Sequence, residues 1–179
     1  MENADIHMER LAAIPSAGKW TLVSVQGLHR FYKGRTQDVV AGWMTRQDRE
    51  EAIRDNIAYI DTVVDATRAK DEPIVYVGFS QGVAMAFRAA VRGRVKAAAV
   101  VAVGGDVPPE LLSDANSWFP RVLLLRGVRD DWYTAEKMAQ DYRALRPRVD
   151  AVETREYDAA HEWTADAARA AGEFIQQIF

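Results

Sequence analysis

The sequence predicts an α/β fold, a three-layer, doubly wound and mostly parallel sheet with helices on both faces. Three observations carry this expectation. Three of the five strand-like runs are apolar throughout, as strands covered on both faces must be. Between the runs lie segments whose apolar residues recur at helical spacing. The two kinds of segment alternate along the chain, which is the pattern of right-handed β–α–β crossovers.

The elements follow in order. Residues 1–18 are charged and ambiguous, a leader or one short edge strand. Residues 20–26 (WTLVSVQ) partly alternate polar and apolar side chains, which suits a strand near an edge. A long segment, 28–47, separates this strand from the first helix. Ile53, Ile57, Ile60 and Val64 then fall at i, i+4, i+7 and i+11, one apolar stripe on a helix over about 48–69. Residues 74–79 and 95–103 are apolar strands, and the Ala-rich segment 82–91 between them is a helix suited to lying close on a sheet. Residues 122–126 form the fourth strand. Thr134 can cap a helix bearing Met138, Tyr142 and Leu145 that stops before Pro147. Residues 149–157 alternate as a last, edge-proximal strand. Trp163, Ala167, Ala170, Phe174 and Ile178 stripe the final helix.

Composition narrows the function. The 179 residues are 49% hydrophobic and 27% charged, and no repeat or linker interrupts them, so one domain over 1–179 is expected. The net charge of −3 and the lack of basic runs give no case for nucleic acid or an anionic membrane surface. The absence of cysteine rules out disulfides, thiolate metal sites and a cysteine nucleophile. The polar start lacks the apolar stretch of a signal peptide, and the longest apolar run, residues 97–103, is too short to span a bilayer. A cytoplasmic protein without metal or cofactor is expected. No glycine-rich phosphate-binding motif is present, which counts against nucleotide binding.

The chemistry centres on GFSQG, residues 78–82. Ser80 falls between an apolar strand and a helix, at the carboxyl end of the strand, where doubly wound sheets form their sites. A one-residue turn from strand to helix strains that residue, and its neighbours two positions away must be small. Gly78 and Gly82 meet that need, so Ser80 is the candidate nucleophile; the plain alternative is a helix-capping serine between two turn glycines. A serine hydroxyl needs a base, and the base an orienting acid. Of the three histidines, His7 lies in the polar leader and His29 follows the first strand without an evident partner. His161 follows the last strand in YDAAHEW, on the same sheet edge as Ser80, and is the candidate base. Asp130 is the preferred acid, because the order nucleophile, acid, base then runs Ser80, Asp130, His161. Asp131 and Asp106 also follow strands; the former can cap the next helix and the latter begin a Pro-rich turn. Backbone N–H groups of Gln81, at a helix N-terminus, and of Leu28, after the first strand, are the candidate oxyanion donors.

With these residues in hand, the chain resembles the α/β-hydrolase superfamily. It is most similar to the short, lidless branch of serine carboxylesterases, lysophospholipase/acyl-thioesterase-type enzymes and dienelactone hydrolases. The resemblance is carried by VSVQGLHR (23–30), GFSQG (78–82), LLLRGVRDDWY (123–133) and YDAAHEW (157–163), and spans roughly residues 19–179. It implies a compact fold without a cap domain and a Gly-x-x-Asp that lands on Gly127 and Asp130. It also implies hydrolysis of an ester or thioester of a small molecule. The sequence departs from the family at Gln26-Gly27, where His-Gly is usual. A serine, not the dienelactone hydrolase cysteine, stands at position 80, which favours ester or thioester chemistry.

Substrate signals are few. Phe31, Trp132, Tyr133 and Trp163 neighbour the candidate loops and could line an apolar acyl pocket, as could Tyr32, Trp43 and Met44. All of these also suit core positions. Arg30, Lys33 and Arg35 could meet an anionic substrate, although exposed charges are commonly just solvated. The competing reading is a non-catalytic protein of the same fold that binds a small molecule or partner. A lyase or acyltransferase on this scaffold would read the same in sequence.

Overall fold

The computed structural model describes residues 2–179. Four parallel strands form the sheet, in the order β3-β4-β5-β6: β3 (Val75–Phe79), β4 (Ala99–Val103), β5 (Arg121–Gly127) and β6 (Val152–Tyr157). Their side chains divide strictly by parity. Val100, Ala102, Val122 and Leu124 face one core, with α3 (Gln81–Arg92), α4 (Pro109–Ser113) and α5 (Ala135–Leu145). Ala99, Val101, Val103, Leu123 and Leu125 face the other, against α6 (Ala165–Gln176) and residues Ile14 and Ala17. Both faces are covered, which is why these runs carry no polar alternation. The helix α2 (Arg49–Thr67) packs through Ile60 on Met85 and Ala89 of α3, outside the sheet.

The predicted helices after residue 48 are found with small shifts in their ends. Thr134 caps α5 by accepting the Lys137 N–H, and Thr164 caps α6 by accepting the Ala167 N–H. Trp163 therefore precedes the last helix instead of lying on it. The third and last strands begin at Ala99 and Val152, later than the apolar pattern suggested.

The N-terminal quarter departs from expectation in three ways. First, residues 4–12 are helical, not an edge strand: α1 (Ala4–Ala12) starts at Asn3, whose side chain accepts the Ile6 N–H. Second, residues 21–27 form no strand and belong to no sheet, so β3 is an edge strand. Side-chain bonds direct this segment to α1: the Ser24 hydroxyl donates to the Ala4 carbonyl at 2.7 Å, and Gln26 Oε1 accepts the Ala4 N–H at 2.7 Å. Third, the 28–47 segment contains an antiparallel hairpin of β1 (His29–Lys33) and β2 (Asp38–Gly42), with Phe31 opposite Val40. Only Val40 of these ten residues is buried. A hairpin this exposed carries too little apolar contrast to stand out from a loop in sequence.

The turn from β3 into α3 depends on close approach. A β-carbon on Gly78 would lie 2.6 Å from the Gly82 carbonyl oxygen and 2.6 Å from the Val83 α-carbon. The Gly78→Ala variant is therefore expected to lose about 3 kcal/mol of stability in urea denaturation, the upper range for overpacking against backbone. A loss below about 0.5 kcal/mol would show that helix and strand separate without strain.

Candidate active site

Ser80 links β3 to α3 with φ 53° and ψ −121°, a region that residues with a side chain rarely adopt. Its N–H donates to the Val103 carbonyl at 2.9 Å, and its own carbonyl accepts the Val83 N–H at 3.0 Å, so the turn is fixed on both sides. The hydroxyl projects to His161, with Nε2 2.9 Å from Oγ. The other ring nitrogen, Nδ1, lies 2.8 Å from Asp130 Oδ2. The three side chains expected from the sequence to meet are thus adjacent. Asp131 and Asp106 are not part of the array: both are exposed, and Asp106 pairs with Lys137 at 3.3 Å.

The loops that carry Asp130 and His161 are bound to each other. The Val128 and Arg129 N–H groups donate to the Tyr157 and Ala159 carbonyls, each at 2.9 Å. This contact needs a glycine at the end of β5, because a β-carbon on Gly127 would fall 2.2 Å from the Ala160 carbonyl oxygen. Arg126, buried at the end of β5, braces the Asp130 loop by donating to the Tyr133 and Val128 carbonyls at 3.2 and 3.0 Å. Asp130 Oδ1 accepts the Trp132 and Tyr133 N–H groups at 2.8 and 2.9 Å, which leaves Oδ2 for His161. The imidazole stacks on Phe79 at 5.1 Å, and the Arg10 guanidinium covers that ring at 4.8 Å. In this arrangement the imidazole can take a proton from the serine hydroxyl while a buried carboxylate holds its tautomer and orientation.

A cavity of about 1340 Å³ opens beside Ser80 and His161. It runs between the free edge of β3 and residues 20–27, with α1 along one wall. Phe31 and Trp163 line it, together with Trp43 and Met44. Trp132 and Tyr133 do not. Trp132 is 76% exposed on the outer side of His161, with ring centroids 6.4 Å apart, and Tyr133 is buried behind Asp130. Leu28, whose backbone N–H is the second donor expected from the sequence, is 43% exposed and lines an adjoining cleft with Thr45 and Asp48. Just before it, Gly27 lies close against Gly42, a β-carbon at 27 falling 2.9 Å from the Gly42 carbonyl oxygen. Gln81 does sit at the site. Its N–H is the first of α3, where no intrahelical acceptor is available. Its side chain accepts the Trp43 N–H at 2.8 Å and donates to the Met44 carbonyl at 3.1 Å, tying the hairpin's exit to the turn. Among the described residues, no three His, Asp or Glu side chains gather as metal ligands do, and no helix is long and apolar enough to cross a membrane.

A model of the α/β-hydrolase family described as phospholipase/carboxylesterase matches residues 38–179. The chain belongs to that family. Comparison with curated proteins gives no match. Among solved structures, the esterase PE8 shares 25% identity at a TM-score of 0.60, over 73% of this chain and 61% of that one. The chain thus spans less than two thirds of that esterase's length. SOBER1 of Arabidopsis thaliana superposes with a TM-score of 0.74 over 99% of this chain and 93% of its own, at 14% identity. Acyl-protein thioesterase 2 of Zea mays gives 0.70 over 99% and 89%, at 16% identity. At such identities the likeness is one of fold, and it extends to the N-terminal quarter that the family model omits.

One buried group near the site has no counterpart in the sequence reading. Asp141, on α5, accepts the Tyr133 hydroxyl at 3.0 Å and the Val107 N–H at 3.1 Å. Burial raises its pKa from 3.8 to about 6, opposed by the Val107 and Tyr133 hydrogen bonds and by Lys137, and aided by Asp106. Because the folded value lies above the unfolded one, the native state holds this proton more tightly. That contribution to stability is full below the unfolded value and is lost as pH rises through about 6. The Asp141→Asn variant should therefore gain in melting temperature relative to wild type between pH 4 and pH 8. A difference constant across that range would mean that Asp141 titrates as it does in water.

Proposed function

We propose that the protein is a serine hydrolase that cleaves a carboxylic ester or thioester of a small molecule through an acyl-enzyme on Ser80. The observation that carries this reading is the continuous chain of contacts from Ser80 Oγ through both nitrogens of His161 to Asp130, at 2.9 and 2.8 Å. Family membership supports ester hydrolysis as the reaction class.

Ser80 Oγ attacks the substrate carbonyl carbon as His161 Nε2 takes its proton, and the carbonyl π electrons move to oxygen. The Gln81 N–H faces that developing charge, strengthened by the N-terminal end of α3. The tetrahedral adduct collapses when the C–O or C–S bond breaks, and His161 returns the proton to the departing alcohol or thiol. Water then attacks the acyl-enzyme, its proton passing to Nε2, and the acid is released with the Ser80 hydroxyl restored. Asp130 holds the imidazole in the tautomer with Nδ1–H and stabilises its charged form. The apolar part of the acyl group occupies the cavity beside β3, against Phe31 and Trp163.

Replacing Ser80 by Ala is expected to lower turnover of p-nitrophenyl esters at least roughly a thousandfold, with unchanged circular dichroism. It should also abolish covalent labelling by a fluorophosphonate. Retained turnover would overturn the assignment, and a wild-type protein that neither labels nor turns over would be a binding protein on the same fold.

Acyl length gives a second test. Each methylene buried in the cavity contributes about 0.8 kcal/mol, or roughly fourfold in kcat/KM, so acetate to octanoate esters should show a rising series. A flat series would exclude the cavity as the acyl site.

A further inference from the structure

Two loops seat the Asp130 and His161 side chains, and one carboxylate on α5 reaches both loops. The first, residues 104–107, leaves β4 and passes against the array. A β-carbon on Gly104 would lie 3.2 Å from Asp130 Oδ2 and 3.2 Å from His161 Cε1, while one on Gly105 would lie 2.6 Å from the Ser80 carbonyl oxygen. The second, residues 128–133, carries Asp130 and ends at Tyr133. A single oxygen, Asp141 Oδ2, accepts the Val107 N–H from the first loop and the Tyr133 hydroxyl from the second. Val107, Tyr133 and Asp141 are all buried.

The position of this aspartate is informative. Met138, Asp141, Tyr142 and Leu145 fall at i, i+3, i+4 and i+7 of α5, the stripe that faces the core. An aliphatic side chain there would serve packing better, because a buried carboxylate is costly unless its hydrogen bonds compensate. What the carboxylate adds is a link between the two loops. The groups facing it are the Tyr133 hydroxyl, the Val107 N–H, Lys137 and Asp106, and the last two pair with each other at 3.3 Å.

We propose that Asp141 is a positioning residue for the Ser80–His161–Asp130 array, fixing through Tyr133 the loop that carries Asp130 and through Val107 the loop that passes against Asp130 and His161. It touches none of the reacting atoms, and the inference rests on the serine-hydrolase reading above. Tyr133 is the relay: its N–H holds Asp130 Oδ1 while its hydroxyl is held by Asp141.

The test uses the full chain and three variants, Asp141→Leu, Asp141→Asn and Tyr133→Phe, with kcat and KM measured well below each melting temperature and normalised to the folded fraction. The leucine variant is expected to lose kcat by about tenfold to a hundredfold, the range for small misplacement of catalytic groups, with KM within about threefold. The phenylalanine variant should follow it part of the way. Asparagine keeps a neutral acceptor oxygen for both donors and should recover most of the lost kcat. The downfield proton resonance of the His161 Nδ1–H should move in the leucine variant and return in the asparagine one. Leucine and phenylalanine variants that melt lower but keep wild-type kcat and that resonance would reduce Asp141 to a packing residue and overturn the proposal. Should the leucine variant fail to fold, the Tyr133→Phe kinetics decide alone. Failure of the hydrolase reading itself shows separately, as a wild-type protein without turnover or fluorophosphonate labelling.

Discussion

Everything at the site hangs on how tightly β3 is folded back into α3. Ser80 occupies a strained left-handed conformation, and the strain persists because its N–H and carbonyl are both engaged and glycines surround it. Gly78 lets the helix cross over the strand, while Gly105 lets the neighbouring loop pass beneath the Ser80 carbonyl at a distance that no side chain allows. The same principle recurs at Gly104 and Gly127, which bring the strand ends against His161, Asp130 and residues 159–160. Three approaches that exclude a β-carbon, at Gly78, Gly105 and Gly127, and a tight one at Gly104, where φ is +62°, thus define where one hydroxyl, one imidazole and one carboxylate meet.

The sequence made most of this legible because the relevant signals are local. A strand covered on both faces must be apolar along its length, so 74–79, 95–103 and 122–126 stood out, and the parity of their side chains across two cores explains why. Ser80 and Asp130 each follow such a strand and His161 follows the alternating last one, so the topology that places the ends of parallel strands together also gathers them. The N-terminal quarter was illegible for the opposite reason. Residues 20–26 have the alternation of a strand, but Ser24 and Gln26 bind α1, a contact between distant residues that no periodicity encodes. Tyr133 sits beside the acid in sequence and would pass for a pocket residue. Its hydroxyl finds Asp141, eight positions on, and the ring turns inward. Leu28 lies outside the cavity lining, next to Gly27, whose close contact with Gly42 joins residues far apart in the chain.

Electrostatics at the site is economical. Asp130 is buried and satisfied on both oxygens, by two backbone N–H groups and by the imidazole, so its charge is held without a cationic side-chain partner. Arg126 braces the same loop, yet its charge is directed to Glu156 and to backbone carbonyls, away from the carboxylate. The loops bearing acid and base are joined to each other by backbone bonds, so the Asp130–His161 pair is seated as one unit against the Ser80 turn.

The free edge of β3 has a consequence for how this protein can change over evolutionary time. The parallel sheet, and with it Ser80, Asp130 and His161, is built entirely from residues after 74, whereas α1, residues 20–27 and the hairpin wall the cavity without adding a strand to that sheet. The side chains that meet at Ser80 and one wall of the cavity beside them are therefore encoded in different stretches of chain, while β3, Met85 and Trp163 supply other parts of the lining. Substitutions in the first third can reshape that wall without breaking a rung of the sheet, so the form of the cavity can drift while the Ser80–His161–Asp130 array stays put.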